Sequence, residues 1–266
     1  MTHLARTEHF GAPLLDLYNL TVRAGRIKRV NDATLTVGRG ECVGLIGPNG
    51  AGKTTLMRAA LGLQAHDGIS SMLQMTPAAR ARHVAFLPQK RSVAWPVTVR
   101  DLVALGLLPA RGPGLRMPNA VAQRVDAVLH TLDIEALADR LATSLSGGEL
   151  ARVLFARVLV QDTPLVIADE PTASLDPAQQ IALMERLRAV AQSGRGVLVS
   201  LHDLGLAARY CTRLVVMQAG RIVADGAPLQ VLTLDVLADV FQIRAQIIET
   251  ADGILLQPVA LTGRVA

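Results

Sequence analysis

The sequence predicts an α/β fold in which buried parallel strands end at one shared site. Three short apolar runs each stop at polar or glycine-rich sequence: Cys42–Ile46 before a glycine-rich loop, 165–168 before two acids, and 197–201 before a histidine. Apolar runs of this length without alternation are typical of parallel strands covered on both faces. Because α/β sheets bind ligands at the carboxyl ends of their strands, we expect these polar residues to lie together.

Composition and charge narrow the classes of function. Half of the 266 residues are apolar and only 3% are aromatic, which predicts a large aliphatic core. The two cysteines, Cys42 and Cys211, fall in apolar runs, as expected of buried reduced thiols rather than a disulfide framework or a metal site. The net charge of +5 is scattered, without the basic and aromatic stripe typical of nucleic-acid-binding proteins, so we expect no nucleic-acid partner.

Membrane-spanning and secreted classes fit the sequence poorly, although its mean hydropathy is positive. No apolar run free of charge approaches the ~20 residues that a spanning helix needs. Residues 1–15 lack the apolar core of a signal peptide. We therefore expect a chain that stays in the cytosol.

The glycine-rich loop carries one of only three lysines in the chain, which otherwise uses arginine. Residues 47–54 read GPNGAGKT and satisfy G-x-x-x-x-G-K-[ST]. The glycines let backbone N–H groups converge on phosphates, Lys53 reaches the terminal phosphates, and the Thr54 hydroxyl takes a magnesium position. The residues expected to bind the nucleotide phosphates here are Gly47, Pro48, Asn49, Gly50, Ala51, Gly52, Lys53, Thr54 and Thr55.

The acids that follow the second run predict the hydrolytic half of the site. Asp169 and Glu170 are adjacent, and side chains alternate along a strand, so the two cannot share one role. We assign Asp169 to the water shell of the metal and Glu170 to the attacking water as general base. His202, the first polar residue after the third run, is placed to reach a γ-phosphate. Gln89 ends a fourth run, and its amide would contact either magnesium or the water.

A second helix start at LSGGELARVLFAR, residues 145–157, also suits an anion. Ser146 takes the N-cap position, Gly147 and Gly148 leave backbone N–H groups uncovered, and apolar residues follow at helical spacing. This start carries no lysine. A single chain thus has two phosphate-ready helix starts about a hundred residues apart.

Over residues 14–226 these motifs together resemble the ATP-binding subunit of an ABC transporter. The motifs, in chain order, are the Walker A loop (47–54), the Q-loop at Gln89, the signature LSGGE (145–149), the Walker B strand (165–169), Glu170, the D-loop (174–176) and the switch His202. The resemblance implies one ABC ATPase domain over 1–266 with a P-loop NTPase (RecA-like) core. It divides the chain as follows: core and antiparallel β-subdomain, 14–91 and 160–225; inserted α-helical subdomain, 92–145; C-terminal helix and hairpin, 226–266.

The resemblance also explains the second helix start. It implies a homodimer that binds two ATP molecules, with Mg²⁺, between its head-to-tail copies. The signature of one copy, Ser146, Gly147, Gly148 and Glu149, would cover the γ-phosphate held by the P-loop of the other, and Asp176 would lie at the seam. A phosphate already neutralised by lysine and magnesium then needs only dipoles and a hydroxyl.

A separate cassette of this kind implies an importer subunit on the cytoplasmic face of the membrane. Its partners would be a polytopic membrane permease and, indirectly, a substrate-binding protein. Residues 97–109 are either core or a groove for a permease helix, and we expect a mixture. The chain also resembles the iron–siderophore, haem and vitamin B12 group of importers. This resemblance is carried by residues 82–89, 98–109, 200–228 and 229–243, and by a tail read as a hairpin around Asp252 and Gly253. Importers of molybdate, zinc or manganese, and a non-transport ATP-gated clamp, are the alternatives.

The adenine subsite departs from the family pattern. The family usually stacks adenine on an aromatic residue just after the first strand, where this chain has Ala24. Tyr18 comes six residues earlier and is expected to pack in the first strand. Adenine would instead be held by apolar contact or by an arginine such as Arg26.

Overall fold

The computed structural model describes residues 11–90, 92–111, 119–251 and 253–262. The strands are β1 Leu15–Ala24, β2 Ile27–Val37, β3 Cys42–Ile46, β4 Asp67–Ser70, β5 Val84–Leu87, β6 Leu165–Asp169, β7 Gly196–Ser200, β8 Arg213–Gln218, β9 Arg221–Gly226, β10 Ile243–Thr250 and β11 Gly253–Leu261. The helices are α1 Lys53–Ala60, α2 Pro77–His83, α3 Val99–Ala104, α4 Leu108–Arg111, α5 Asn119–Thr131, α6 Gly147–Leu159, α7 Pro177–Gln192, α8 Leu204–Tyr210, α9 Pro228–Val231 and α10 Leu234–Asp239.

A six-stranded sheet in the order β5-β6-β7-β3-β8-β9 forms the centre of the fold. Its first five strands are parallel, and β9 runs antiparallel to β8. Every residue of β3, β6 and β7 is buried, as the unbroken apolar runs predict. The α/β prediction is confirmed, and the loops after β3, β5, β6 and β7 leave the same edge of the sheet.

The two faces of this sheet bury separate cores. Side chains alternate along β3, so Val43 and Leu45 face one core while Cys42 and Ile46 face the other. The first core packs against α1 and a three-stranded antiparallel sheet, β2-β1-β4. This small sheet occupies the place expected for the antiparallel β-subdomain.

The second core holds helices α3, α5 and α6, which pack on one another beside the sheet. Gly106 lets the segment after α3 approach α6, because a Cβ there would lie 2.4 Å from the carbonyl oxygen of Arg157. Within 97–109, Leu102 and Val103 are buried whereas Leu108 is 47% exposed. This stretch therefore contributes both to the core and to the surface.

The chain ends, in its described part, with α9, α10 and the hairpin β10-β11, which packs on α8 through the buried Leu256. The hairpin agrees with the sequence prediction, although Asp252 lies outside the described residues. Cys42 and Cys211 are buried free thiols. A hydrogen bond with Cys42 and burial together raise the pKa of Cys211. Among the described residues, no helix combines the length and apolarity needed to cross a membrane.

Candidate functional site

The loop after β3 curls around the side chain of Lys53. Gly47 has φ +150°, and a Cβ there would lie 2.2 Å from the carbonyl oxygen of Met217. Gly52 is the N-cap of α1, with φ +106° and no side-chain capping bond. The Lys53 ammonium donates to the carbonyl oxygens of Gly47 and Pro48 at 2.7 and 3.3 Å. Glycine is needed at 47 and 52 because a side chain would collide with backbone or strain these positive φ angles.

The Lys53 ammonium is a buried cation at the positive end of α1. Burial lowers its pKa, and the nearby carboxylates of Glu170 and Asp169 partly oppose that shift. The lowered pKa means that the charged form lacks the solvation it would have in water. An anion entering the loop would restore that stabilisation.

A pocket of about 420 Å³ opens in front of this loop. The residues that line it are Ala24, Arg29, Asn49, Gly50, Ala51, Gly52, Lys53, Thr54, Thr55, Gln64, Gln89 and Glu170. The P-loop, Gln89 and Glu170, which the sequence predicts to share one site, are therefore brought together. Gly47 and Pro48 lie behind the pocket and hold the lysine.

The two acids after β6 are separated by a backbone turn. Asp169 is the last residue of the strand and only 1% exposed. Glu170 has φ +49°, in the left-handed region that non-glycine residues rarely adopt. The separation of the two acids agrees with the expectation, but its cause differs. The strand ends at Asp169, and the left-handed turn, rather than strand alternation, directs Glu170 into the pocket.

Ser200, at the end of β7, connects these acids. Its hydroxyl donates to Asp169 Oδ1 at 2.7 Å and accepts from the Glu170 N–H at 2.8 Å. The side chain is fully buried. Ser200 was not among the predicted site residues, although it is the one polar residue within the apolar run 197–201.

Glu170 lies between the other two residues predicted to act in hydrolysis. Its Oε2 accepts a hydrogen bond from Gln89 Nε2 at 2.6 Å, and His202 Nε2 lies 2.5 Å from its Oε1. Residues following β5, β6 and β7 thus meet at one carboxylate. His202 itself lines a neighbouring pocket of about 460 Å³, together with residues of the C-terminal hairpin.

The second helix start lies elsewhere in the chain. Ser146 is the N-cap of α6, and its hydroxyl accepts from the Glu149 N–H at 3.3 Å while Glu149 Oε2 accepts from the Ser146 N–H at 2.8 Å. The hydrogen bond from the Ser146 N–H lowers the pKa of the Glu149 carboxyl, with smaller contributions from the Ser146 side chain and Arg140. A Cβ on Gly147 would meet nothing within 4 Å. None of residues 146–149 lines the P-loop pocket.

Asp176, predicted at a dimer seam, caps α7 within the chain. Its Oδ1 accepts from the Gln179 N–H at 2.9 Å. The Gln179 side chain also touches the signature, because a Cβ on Gly148 would lie 3.0 Å from Gln179 Oε1. The starts of α6 and α7 are therefore adjacent.

Around the expected adenine subsite, the pocket lining includes residues that were not predicted to contact adenine. Ala24 lines the P-loop pocket, as expected, but Arg29 and Gln64 line it instead of Arg26. Tyr18 lies on β1 as expected, yet its side chain is 56% exposed. Arg29 and Gln64 had no local sequence signal, because only the folding of β2 and the segment after α1 brings them to the loop.

The parallel sheet, the lysine-centred loop and the acids at neighbouring strand ends define a P-loop nucleoside triphosphatase. The chain matches the ABC transporter family over residues 30–173, more than half of its length. It belongs to that family, as an ATP-binding subunit with the ATPase activity characteristic of the family.

Two curated relatives illustrate the sequence similarity. The chain is 42% identical over 235 residues to the hemin import ATP-binding protein HmuV of Nocardia farcinica, covering 85% of this chain and 80% of that protein. It is 40% identical over 244 residues to the cobalamin import ATP-binding protein BtuD of Halobacterium salinarum strain R1, covering 88% of this chain and 60% of that one.

Solved structures agree on the fold. A chain of an ABC transporter in an inward-facing conformation superposes with a TM-score of 0.81 at 23% identity, covering 94% of this chain and 98% of that one. The dimeric structure of MJ0796, a bacterial ABC transporter cassette, gives a TM-score of 0.72 at 25% identity, with 80% and 98% covered.

Proposed function

We propose that this chain is the ATP-hydrolysing subunit of an importer for haem or cobalamin. The observation that carries the proposal is a P-loop pocket with Gln89, Glu170 and His202 assembled beside it, in a chain 42% identical to a hemin import ATP-binding protein. The cobalamin import relative supports the same substrate group, a large metal-centred ring. These relatives disfavour the two alternatives, an importer of molybdate, zinc or manganese and a non-transport ATP-gated clamp.

Phosphate binding rests on Lys53 and the N-terminus of α1. The nucleotide phosphates replace the carbonyl oxygens that the ammonium contacts, and the backbone N–H groups of the loop face them. Thr54 and Asp169 suit Mg²⁺, because Asp169 Oδ2 is buried without a hydrogen-bond partner among the described residues. Bound there, Mg²⁺ would neutralise charge on the β- and γ-phosphate oxygens.

In the hydrolytic step Glu170 accepts a proton from the attacking water. Gln89 and His202 hold its carboxylate from two sides, which fixes its direction toward the pocket. Ser200 fixes the backbone of Glu170 and one oxygen of Asp169 at the same time. His202 is hydrogen-bonded directly to Glu170, and it can exchange that hydrogen bond for one to the γ-phosphate.

Completion of the site requires a second copy. Residues 146–149 are prepared for an anion but do not line the pocket of their own chain. In a head-to-tail dimer the α6 start of one copy would cover the γ-phosphate bound by the other. The similar cassette MJ0796 is dimeric, which supports the pairing of two copies. Asp176, next to the signature through Gln179, would then lie near the seam.

Coupling to transport would use exposed apolar side chains within residues 92–145, the expected α-helical subdomain. Trp95 is 61% exposed, Leu108 47% and Leu141 44%. We expect a cytoplasmic helix of a polytopic permease to cover these side chains, with the chain at the cytoplasmic face of the membrane. A substrate-binding protein would deliver the substrate to the permease from the other side.

The substitution Glu170→Gln tests the hydrolytic assignment. Loss of the base should lower ATP turnover by about 10²–10⁴-fold while ATP is still bound, so the variant should accumulate as a closed dimer. Turnover and light-scattering mass with ATP are measured together. Glu185→Gln, at an exposed position on α7, is the control. A monomeric Glu170→Gln that turns over normally would contradict the proposal.

The substrate class is tested in proteoliposomes that contain the chain with its permease. Haem or cobalamin presented by the binding protein should stimulate ATP turnover and accumulate inside in an ATP-dependent manner. Stimulation by molybdate, zinc or manganese in place of both would refute the assigned substrate.

A further inference from the structure

The P-loop pocket has two chemically different ends. Lys53 and the loop mark the phosphate end, with Gln89 and Glu170 also in the lining, whereas Ala24, Arg29 and Gln64 form the rest of the wall. The pocket lining contains no aromatic ring within the described parts of the chain. A nucleotide whose phosphates lie at Lys53 must therefore place its base against other side chains.

Backbone contacts tie β2 to the P-loop and so determine where Arg29 lies. The Asn31 N–H donates to the Gly220 carbonyl at 2.8 Å, and the Gly220 N–H donates to the Ala51 carbonyl at 3.0 Å. A Cβ on Gly52 would lie 2.6 Å from the carbonyl oxygen of Arg29. Arg29 is thus held directly beside the N-cap of the phosphate-binding helix.

The Arg29 side chain is exposed and, within the described residues, makes no hydrogen bond or ion pair. Neighbouring cations differ. Lys28 donates to Asn31 Oδ1 at 2.9 Å, and Arg23 lies 3.7 Å from a carboxylate oxygen of Asp67. The Arg29 guanidinium is therefore available for a ligand at the pocket wall.

We infer that the Arg29 guanidinium stacks on the nucleotide base and replaces the missing aromatic ring. The inference rests on the proposed ATP site, since the phosphates must be anchored at Lys53. A guanidinium is planar, weakly hydrated and positively charged, so it can lie flat on a base and interact with its π-system. The small Ala24 side chain leaves room at the same wall.

Titration calorimetry with ADP tests this inference, because ADP carries the base but is not hydrolysed. Arg29→Ala should weaken ADP binding about 10-fold, in the range measured for loss of base stacking. Arg29→Trp should stay within about 3-fold of wild type, since indole stacks without charge. Arg29→Lys, which keeps the charge but not the plane, should resemble Arg29→Ala. Arg26→Ala, an exposed arginine outside the pocket lining, is the matched control and should bind as wild type.

Two results would overturn the inference. Arg29→Ala could bind ADP as tightly as wild type, or Lys could restore binding where Trp does not, which would make Arg29 a phosphate contact. Because Arg29 is exposed, thermal midpoints within a few degrees of wild type are expected and serve as the folding check. Failure of the wild-type chain to bind ADP would instead refute the proposed ATP site itself.

Discussion

The chain begins two helices with phosphate-ready glycine sequence, and the two starts are built differently. At α1 the N-cap is Gly52, no side chain caps the helix, and the next residue is the buried Lys53. At α6 the N-cap is Ser146, which forms a reciprocal capping box with Glu149. The start of α1 faces the P-loop pocket of its own chain. The start of α6 is exposed, and its capping hydrogen bonds are formed within the helix.

This difference shows how one chain can carry two half-sites with separate tasks. The first start combines a buried cation with a helix N-terminus that no side chain caps, and an anion stabilises both. The second start is already stabilised by its cap, typically worth about 1 kcal/mol, so it keeps its shape before any phosphate arrives. A preformed cover that carries no lysine suits a phosphate that another copy has already neutralised.

Of the two helix starts, the first should show the larger effect, because Lys53→Met removes its buried cation. ATP turnover should fall at least ~100-fold, because preorganised charge at a phosphoryl group typically contributes 10²–10³ in rate. ATP binding should weaken as well. Lys28→Met, at an exposed lysine on β2, is the control. Turnover of Lys53→Met within twofold of wild type would remove the distinction between the two starts.

At the second start, Ser146→Arg should lower turnover about 100-fold while ADP binding stays unchanged, since the guanidinium would block the cover but not the P-loop pocket. Turnover and ADP calorimetry on the same preparations check this. Ser193→Arg, at the exposed end of α7, is the control. Equal loss of ADP binding and turnover would show that Ser146 serves the pocket of its own chain.

A smaller effect is expected from Ser200→Ala, which leaves both start sequences intact. Loss of the bridge between Asp169 and the Glu170 N–H should lower turnover about 10-fold, in line with the 1–3 kcal/mol cost of buried polar groups left unsatisfied. Ser70→Ala is matched, because Ser70 is also buried and donates to the Ala60 carbonyl at 2.7 Å. If both variants lose turnover equally, Ser200 acts through stability alone.

The sequence predicted those features that depend on local chemistry. Unbroken apolar runs predicted β3, β6 and β7, because a strand covered on both faces needs no polar alternation. The P-loop motif predicted the curled loop, since its glycines are required where φ is positive and backbone lies close. The serine and glutamate spacing at 146 and 149 agrees with the capping box.

Only the tertiary structure decided which distant residues complete the site. Ser200 joins the two acids because β7 lies beside β6, and Arg29 reaches the pocket because backbone bonds through Gly220 tie β2 to the P-loop. Glu170 turns into the pocket because its backbone is left-handed, a conformation that its residue type does not predict. Such positions follow from the packing of strands far apart in sequence, whereas motif and periodicity report only what neighbours along the chain impose.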